Sequence, residues 1–250
     1  MIELKDLTKR YGNMLAVDRL NLNVARGEIF GFIGPNGAGK TTTIRMMGGV
    51  LAPTEGSVVI NGINMVDDPE GVKRGIGFIP DRTFLYEKLT GMEFMRFSAD
   101  LYGVDGDVFW EKSLGLLKKF GLSDWSNQLI EAYSHGMKQR LIISAALLHE
   151  PAVIIVDEPM VGLDPAAIKM VKDLLRELAD KGTTIFMSTH TLEIAEDLCD
   201  RIGIIHKGTL IATGTTGDLK RAAGAMGVSF KTDPKLEEVF LKLTEEQIIL

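Results

Sequence analysis

Gly34-Pro35-Asn36-Gly37-Ala38-Gly39-Lys40-Thr41 satisfies the pattern G-x-x-x-x-G-K-[ST] without a mismatch. Each residue type in it has a task. The glycine-rich curl points backbone N–H groups at phosphate oxygens, the lysine reaches the terminal phosphates, and the threonine hydroxyl coordinates Mg²⁺. A second set of groups lies far along the chain, where Asp157-Glu158 ends an apolar run. One carboxylate at such a strand tip holds Mg²⁺ through water, and the adjacent one polarises a nucleophilic water. Glu158 stands out because a general base must reach the attacking water and not merely the metal. Together the two sets predict a nucleotide-binding protein.

These groups act only if backbone elements hold them in place. Residues 28–33 read as a buried strand entering the loop, and 41–47 as the helix leaving it, whose N-terminal dipole favours an anion. Residues 152–156 are an unbroken apolar run typical of a central parallel strand. Upstream, residues 2–33 alternate and turn like a small β-region, with turn chemistry at Tyr11-Gly12-Asn13 and period two over 20–24. Strands at 57–60 and 75–79 follow, the first closed by the hairpin signal Asn61-Gly62 and the second ended by Pro80.

From about 86 to 148 the pattern turns helical. Met92, Phe94, Met95, Phe97, Leu101 and Tyr102 recur at near-helical spacing, as do Val108, Trp110, Leu114, Leu117 and Phe120, and this stripe reads as core. Beyond it, Asp164 caps a helix with Pro165 at its first position, and Gly182 stops it. A strand at 183–187, a helix through Leu198 and a hairpin around Lys207-Gly208 complete the alternation. The predicted class is α/β: a phosphate-loop core with a mostly parallel sheet, an N-terminal antiparallel β-region and an inserted α-helical subdomain. The expected division is one domain over 1–215, with the helical subdomain at about 86–148, and a short helical tail over 216–250.

Composition narrows the class. The 250 residues are 45% hydrophobic and 25% charged, ordinary for a soluble globular chain. A formal net charge of −6 provides no broad footprint for nucleic acid. The single cysteine, Cys199, excludes an internal disulfide, suits a reducing compartment, and reads as core packing within a helix. No signal peptide is visible, and the most apolar stretch, 141–148, is too short to span a bilayer.

Together these stretches resemble the ATP-binding cassette (ABC) ATPases over nearly all of residues 1–215. The resemblance implies that Tyr11 stacks on adenine. It makes 34–41 the Walker A loop, with Gly34, Pro35, Asn36, Gly37, Ala38, Gly39, Lys40, Thr41 and Thr42 on the nucleotide. It makes the strand ending in Asp157 and Glu158 the Walker B element, with Asp157 and Thr41 toward Mg²⁺ and Glu158 catalytic. Gly162-Leu163-Asp164-Pro165 matches the D-loop, and Ser188-Thr189-His190 the switch histidine. Residues 133–140, Tyr-Ser-His-Gly-Met-Lys-Gln-Arg, occupy the place of the family signature, where the resemblance implies that Ser134 and Gly136 meet the nucleotide held by a second cassette. In that family two cassettes, identical or related, sandwich two ATP molecules, and hydrolysis reopens them.

Two positions depart from the family pattern. Asp81 stands where a glutamine is usual, in the loop that senses γ-phosphate, Mg²⁺ and the membrane partner. It can still bind Mg²⁺ but is shorter and charged, and Arg82 is available as a counter-ion. His135 replaces a signature glycine, and its protonation beside phosphate would strengthen binding at low pH. His149 and His206 read as structural.

The function implied is the ATP-binding and hydrolysing subunit of a membrane transporter, held on the inner face of the cell membrane by separate integral membrane chains. The form YSHGMKQR and the tail segment 236–243 resemble the group that serves ABC-2-type exporters, with a coupling surface over about 81–102 that includes Phe84 and Leu85. The alternatives are a soluble, non-transport ABC ATPase or a low-turnover regulatory subunit. Against the first stand the single cassette and negative charge, and against the second the intact Lys40, Asp157, Glu158 and His190.

Overall fold

The computed structural model describes residues 1–81, 84–225 and 235–245. Strand β1 (Ile2–Tyr11) turns back at Gly12-Asn13 into β2 (Met14–Val24), and the two pair antiparallel from Ile2↔Val24 to Tyr11↔Met14. The phosphate loop joins β3 (Ile29–Ile33) to α1 (Lys40–Met47). Then come β4 (Glu55–Ile60), β5 (Ile63–Asn64), α2 (Pro69–Arg74) and β6 (Ile76–Ile79). Helix α2 is absent from the sequence reading. Asp68, which accepts from the Gly71 amide, and Pro69 at the first position are the start signals that mark it.

The helical segment holds α3 (Gly91–Tyr102), α4 (Gly106–Lys119) and α5 (His135–Leu147), with short 3₁₀ turns between the last two. The α/β alternation resumes with β7 (Val153–Asp157), α6 (Pro165–Asp180), β8 (Thr184–Thr189), α7 (Leu192–Leu198), β9 (Arg201–His206) and β10 (Thr209–Gly214). Helices α8 (Thr216–Ala225) and α9 (Leu236–Glu245) close the described chain.

Two sheets result. The first is antiparallel in the order β2-β1-β4-β5, and the second runs β10-β9-β3-β8-β7-β6, parallel apart from the β10 edge. Every residue of β3, β7 and β8 is buried, which is why these strands read as continuous apolar runs. Ile2, Leu4, Leu20 and Leu22 of the first sheet share a core with Phe30, Phe32 and Phe186 of the second. The alternation of the N-terminal strands buries one face and leaves the other in water.

Part of the helical stripe is not core. Trp110 is 55% exposed and Leu101 67% exposed, and Phe97, Val108 and Leu114 also face solvent. In α4 the inward face is Phe109, Ser113 and Leu117, a spacing of four that places Val108, Trp110 and Leu114 to either side of it. Cys199 lies just past α7, not within a helix, and packs so closely on Gly31 that a Cβ there would sit 2.7 Å from Sγ. Burial pushes its thiol up to about 12, leaving it an inert core group. Leu219, Leu236, Val239 and Leu243 of α8 and α9 seat on Ile33, Ile202 and Ile204, so these helices cover the sheet.

Candidate nucleotide site

The loop after β3 has its shape because two of its glycines have no room for a side chain. A Cβ on Gly34 would lie 2.3 Å from the Ile205 carbonyl, and one on Gly39, whose φ is +111°, would lie 2.6 Å from the Ala16 carbonyl. Gly37, with φ of +79°, meets nothing within 4 Å and forms the open tip. Helix α1 starts without a side-chain cap and without an acidic residue in its first turn, whereas Thr90, Ser134 and Asp164 cap α3, α5 and α6. Its first amides have no acceptor within the helix, so its positive end is left for an anion. Lys40 is 7% exposed and donates from Nζ to the carbonyls of Gly34 (2.7 Å) and Pro35 (3.3 Å). Burial lowers its pKa, and the charges of Glu158 and Asp157 oppose that shift.

The acid pair divides into two environments. Asp157 is 2% exposed at the end of β7 and accepts a hydrogen bond from Ser188 Oγ on β8, its register partner. Glu158 leaves the ladder with φ of +53°, a left-handed conformation unusual for a residue with a side chain, and its amide donates to the Ser188 carbonyl at 3.2 Å. Its Oε2 lies 2.9 Å from His190 Nδ1 and accepts the His190 amide at 3.4 Å. One carboxylate is thus sunk against the sheet, and the other stands at the mouth beside the histidine.

Tyr11, Asn36, Gly37, Gly39, Lys40, Thr41, Thr42, Asp81, Asp157, Glu158 and His190 line one cleft of about 740 Å³. Gly34, Pro35 and Ala38 support the loop without lining it. Lys9 Nζ stands 5.4 Å from the centroid of the Tyr11 ring, which is exposed at the cleft. Met14, Leu15, Ala16, Val161, Lys207 and Gly208 also line the cleft and were not foreseen. Gly208 donates to the Ala38 carbonyl and accepts from the Asp18 amide, both at 2.9 Å, tying the β9–β10 turn to the loop and to β2. The Lys207-Gly208 turn signal was visible in the sequence, but not its destination.

Ser134 and Gly136 are not in this cleft. Ser134 caps α5, accepting from the Met137 amide at 3.3 Å, and a Cβ on Gly136 would lie 3.6 Å from the Gly162 carbonyl. The His135 ring rests on Gly162, where a Cβ would lie 2.3 Å from its Cδ2. Arg82 lies outside the described residues. Of the two histidines read as structural, His149 is stacked on Tyr102 at 3.8 Å with Nε2 3.1 Å from the Ile76 carbonyl, and burial lowers its pKa. His206 is buried, with no hydrogen-bond partner among the described residues for either ring nitrogen.

The donor set suits Mg²⁺. Thr41, Asp157 and Asp81 bring hard oxygen ligands to one cleft. Among the described residues no three His, Cys, Asp or Glu side chains cluster as a metal cage. A small set of protein oxygens beside a phosphate cradle is what an ion that keeps its waters and takes phosphate oxygens needs.

Residues 17–161 match the family model for ABC transporters. YbhF of Escherichia coli, described as a probable multidrug ABC transporter ATP-binding protein, is 37% identical over 98% of this chain, which spans only 42% of that protein. The bacitracin transport ATP-binding protein BcrA of Bacillus licheniformis is 43% identical over 84% of this chain and 68% of its own length. Among solved structures, an ATP-binding subunit of an ABC transporter superposes with a TM-score of 0.89 at 37% identity, covering 97% of this chain and 99% of that one. The cassette MJ0796, a dimer bound to ADP and phosphate in a post-hydrolysis state, gives 0.77 at 28% identity over 86% of this chain and 98% of its own. With the loop, the acid pair and the histidine gathered at the tips of β3, β7 and β8, the chain belongs to the ABC transporter family, as an ATP-binding cassette with the α/β phosphate-loop fold.

Proposed function

We propose that the chain is the ATP-hydrolysing subunit of a membrane exporter, working as a dimer of cassettes, identical or related, that ATP closes and hydrolysis reopens. The observation that carries this reading is the 2.9 Å contact of Glu158 with His190 at the mouth of the cleft that holds Lys40 and Asp157. Tyr11 stacks on the base, the α1 amides and Lys40 hold the phosphates, and Thr41, Asp157 and Asp81 hold Mg²⁺, which when bound offsets charge on the phosphate oxygens. Glu158 takes the proton of a water as its oxygen attacks the γ-phosphorus, and the bond to ADP breaks, leaving phosphate. His190 holds the Glu158 carboxylate in position and faces the γ-phosphate.

The cleft is half of a site. The start of α5, which Ser134 caps and whose first turn carries no acidic residue, meets the partner cassette's nucleotide. This reading agrees with the dimeric state of the MJ0796 cassette. No helix among the described residues is long and apolar enough to cross a membrane. On this reading the cassette sits against the cytoplasmic side of separate integral membrane chains that hold the transport path. Phe84, 85% exposed and lining a pocket of about 180 Å³ with Phe78, Pro80, Phe94 and Tyr102, is the contact for that partner, while Leu85 is half-buried against the core. The similarity to YbhF, a probable multidrug ABC transporter ATP-binding protein, favours export. Nucleic acid is not a partner, in keeping with the net charge of −6.

Phosphate release by wild type and Glu158→Gln tests the enzyme, with co-purification from membranes to identify the integral partner. A loss of about 10²- to 10⁴-fold in the variant, with ATP binding retained, is expected for a missing general base. Equal release by the two proteins overturns hydrolysis and leaves a low-turnover regulatory subunit. Recovery only in soluble complexes leaves a non-transport ATPase.

A further inference from the structure

A second cavity, of about 590 Å³, lies at the opposite end of β7 and β8 from the nucleotide cleft. Ile154, near the start of β7, and Thr183, just before β8, line it, whereas Asp157 and His190 stand at the other ends of those strands. Its floor is apolar: Ile154, Leu147 and Leu174 are buried, and Leu116 and Leu178 half-buried. Its volume and apolar lining are those of a small-molecule site.

The rim is charged and unbalanced. Lys112, Lys119 and Lys181 face Glu150 and Glu177, three cations against two carboxylates. Lys112 pairs with Glu150 at 3.1 Å. Lys119 and Lys181 both converge on Glu177, each at 2.7 Å, and together hold its carboxyl at about 2. Among the lining side chains, ammonium groups thus outnumber carboxylates by one at the edge of an apolar hollow. The hollow is also a seam: Lys119 and Leu116 belong to α4 of the helical segment, and Leu174, Glu177 and Leu178 to α6 of the α/β body.

We propose that this cavity, between α4 and α6, binds an amphipathic anion, its apolar body on Leu116, Ile154, Leu174 and Leu178 and its anionic head on Lys119 and Lys181. Such a ligand replaces water on the apolar floor and supplies the negative charge that the rim lacks. A cation of the same shape meets an excess of ammonium groups, and a neutral one gains the floor alone. Binding here needs neither ATP nor hydrolysis, because no lining residue belongs to the nucleotide cleft.

The probe is 8-anilinonaphthalene-1-sulfonate, compared with N-phenyl-1-naphthylamine, the same ring system without the sulfonate, by fluorescence titration of the whole chain with and without saturating ATP. One saturable site per chain is expected, at least tenfold tighter for the sulfonate and unchanged by ATP. A Cβ added at Gly115 meets nothing within 4 Å, so Gly115→Trp and Leu178→Trp are two independent ways to fill the hollow. Loss of the site in either, with ATP binding intact, supports the assignment. Lys181→Met, which removes a largely exposed rim charge without touching the floor, should weaken the sulfonate by about three- to tenfold and leave the neutral probe unchanged. Retained affinity in both tryptophan variants, equal affinity for the two probes, or displacement by ATP overturns the proposal.

Discussion

The backbone at Glu158 makes a prediction that separates strain from chemistry. Its φ of +53° places an L-residue in the left-handed region, at a cost of about 1–2 kcal/mol that glycine does not carry. Glycine in turn loses about 0.5–1 kcal/mol more chain entropy on folding. Glu158→Ala and Glu158→Gly both delete the carboxylate and its 2.9 Å contact with His190, so that contact cancels when the two are compared. What remains is the backbone term, roughly 0.5–1 kcal/mol in favour of glycine. At this chain length that is a higher melting temperature by about 1–4 °C, with a matching shift of the urea midpoint. Phosphate release should be lost in both variants by about 10²-fold or more. Folding then improves while catalysis is equally absent, the pattern expected where strain is kept for a functional side chain. An alanine variant as stable as the glycine variant, or more so, refutes the argument and shows that the turn carries no strain.

Other outcomes follow from the same geometry. Ser188→Ala leaves the buried Asp157 one donor short, and should cost about 1–3 kcal/mol in urea denaturation and raise the Mg²⁺ needed for half-maximal turnover; no change in either refutes the role of Ser188. Gly39→Ala drives a Cβ to 2.6 Å from the Ala16 carbonyl and should abolish nucleotide binding, whereas Gly37→Ala meets open space and should lose only about 1 kcal/mol of stability; the reverse ranking in calorimetry contradicts the loop account. Glu177 is held at about 2, below its ordinary 4.5, by Lys119 and Lys181, so its stabilisation is complete above pH 4.5 and fades as pH falls toward 2. Being half exposed, it contributes about 1 kcal/mol at most, and Glu177→Gln should flatten the urea midpoint over that window.

Some elements follow from local physics alone. Asp164 and Pro165 start α6 as their chemistry requires, and the buried runs of β3 and β7 are central strands because both their faces are covered. Other elements depend on which face a neighbour selects. The stripe from Val108 to Leu114 is apolar at plausible spacings, yet α4 turns Phe109 and Leu117 inward and leaves Trp110 in water. A short apolar pattern allows more than one angular solution, and only the packing partner chooses between them.

The same boundary runs through the site. That Lys40, Thr41, Asp157, Glu158 and His190 would share a cleft was legible because the motifs that contain them fix particular residue types at particular spacings. The amino-acid order alone determined that these groups exist and which strands present them. The tertiary structure decided the rest: that Glu158 turns left-handed onto His190, that Ser188 reaches Asp157 across the β7–β8 register, and that the Lys207-Gly208 turn folds over the loop. It also left Ser134 and Gly136 outside the cleft, beside Gly162. Each of these is a contact between segments distant along the chain, set by sheet order and register, which residue spacing within one segment does not encode.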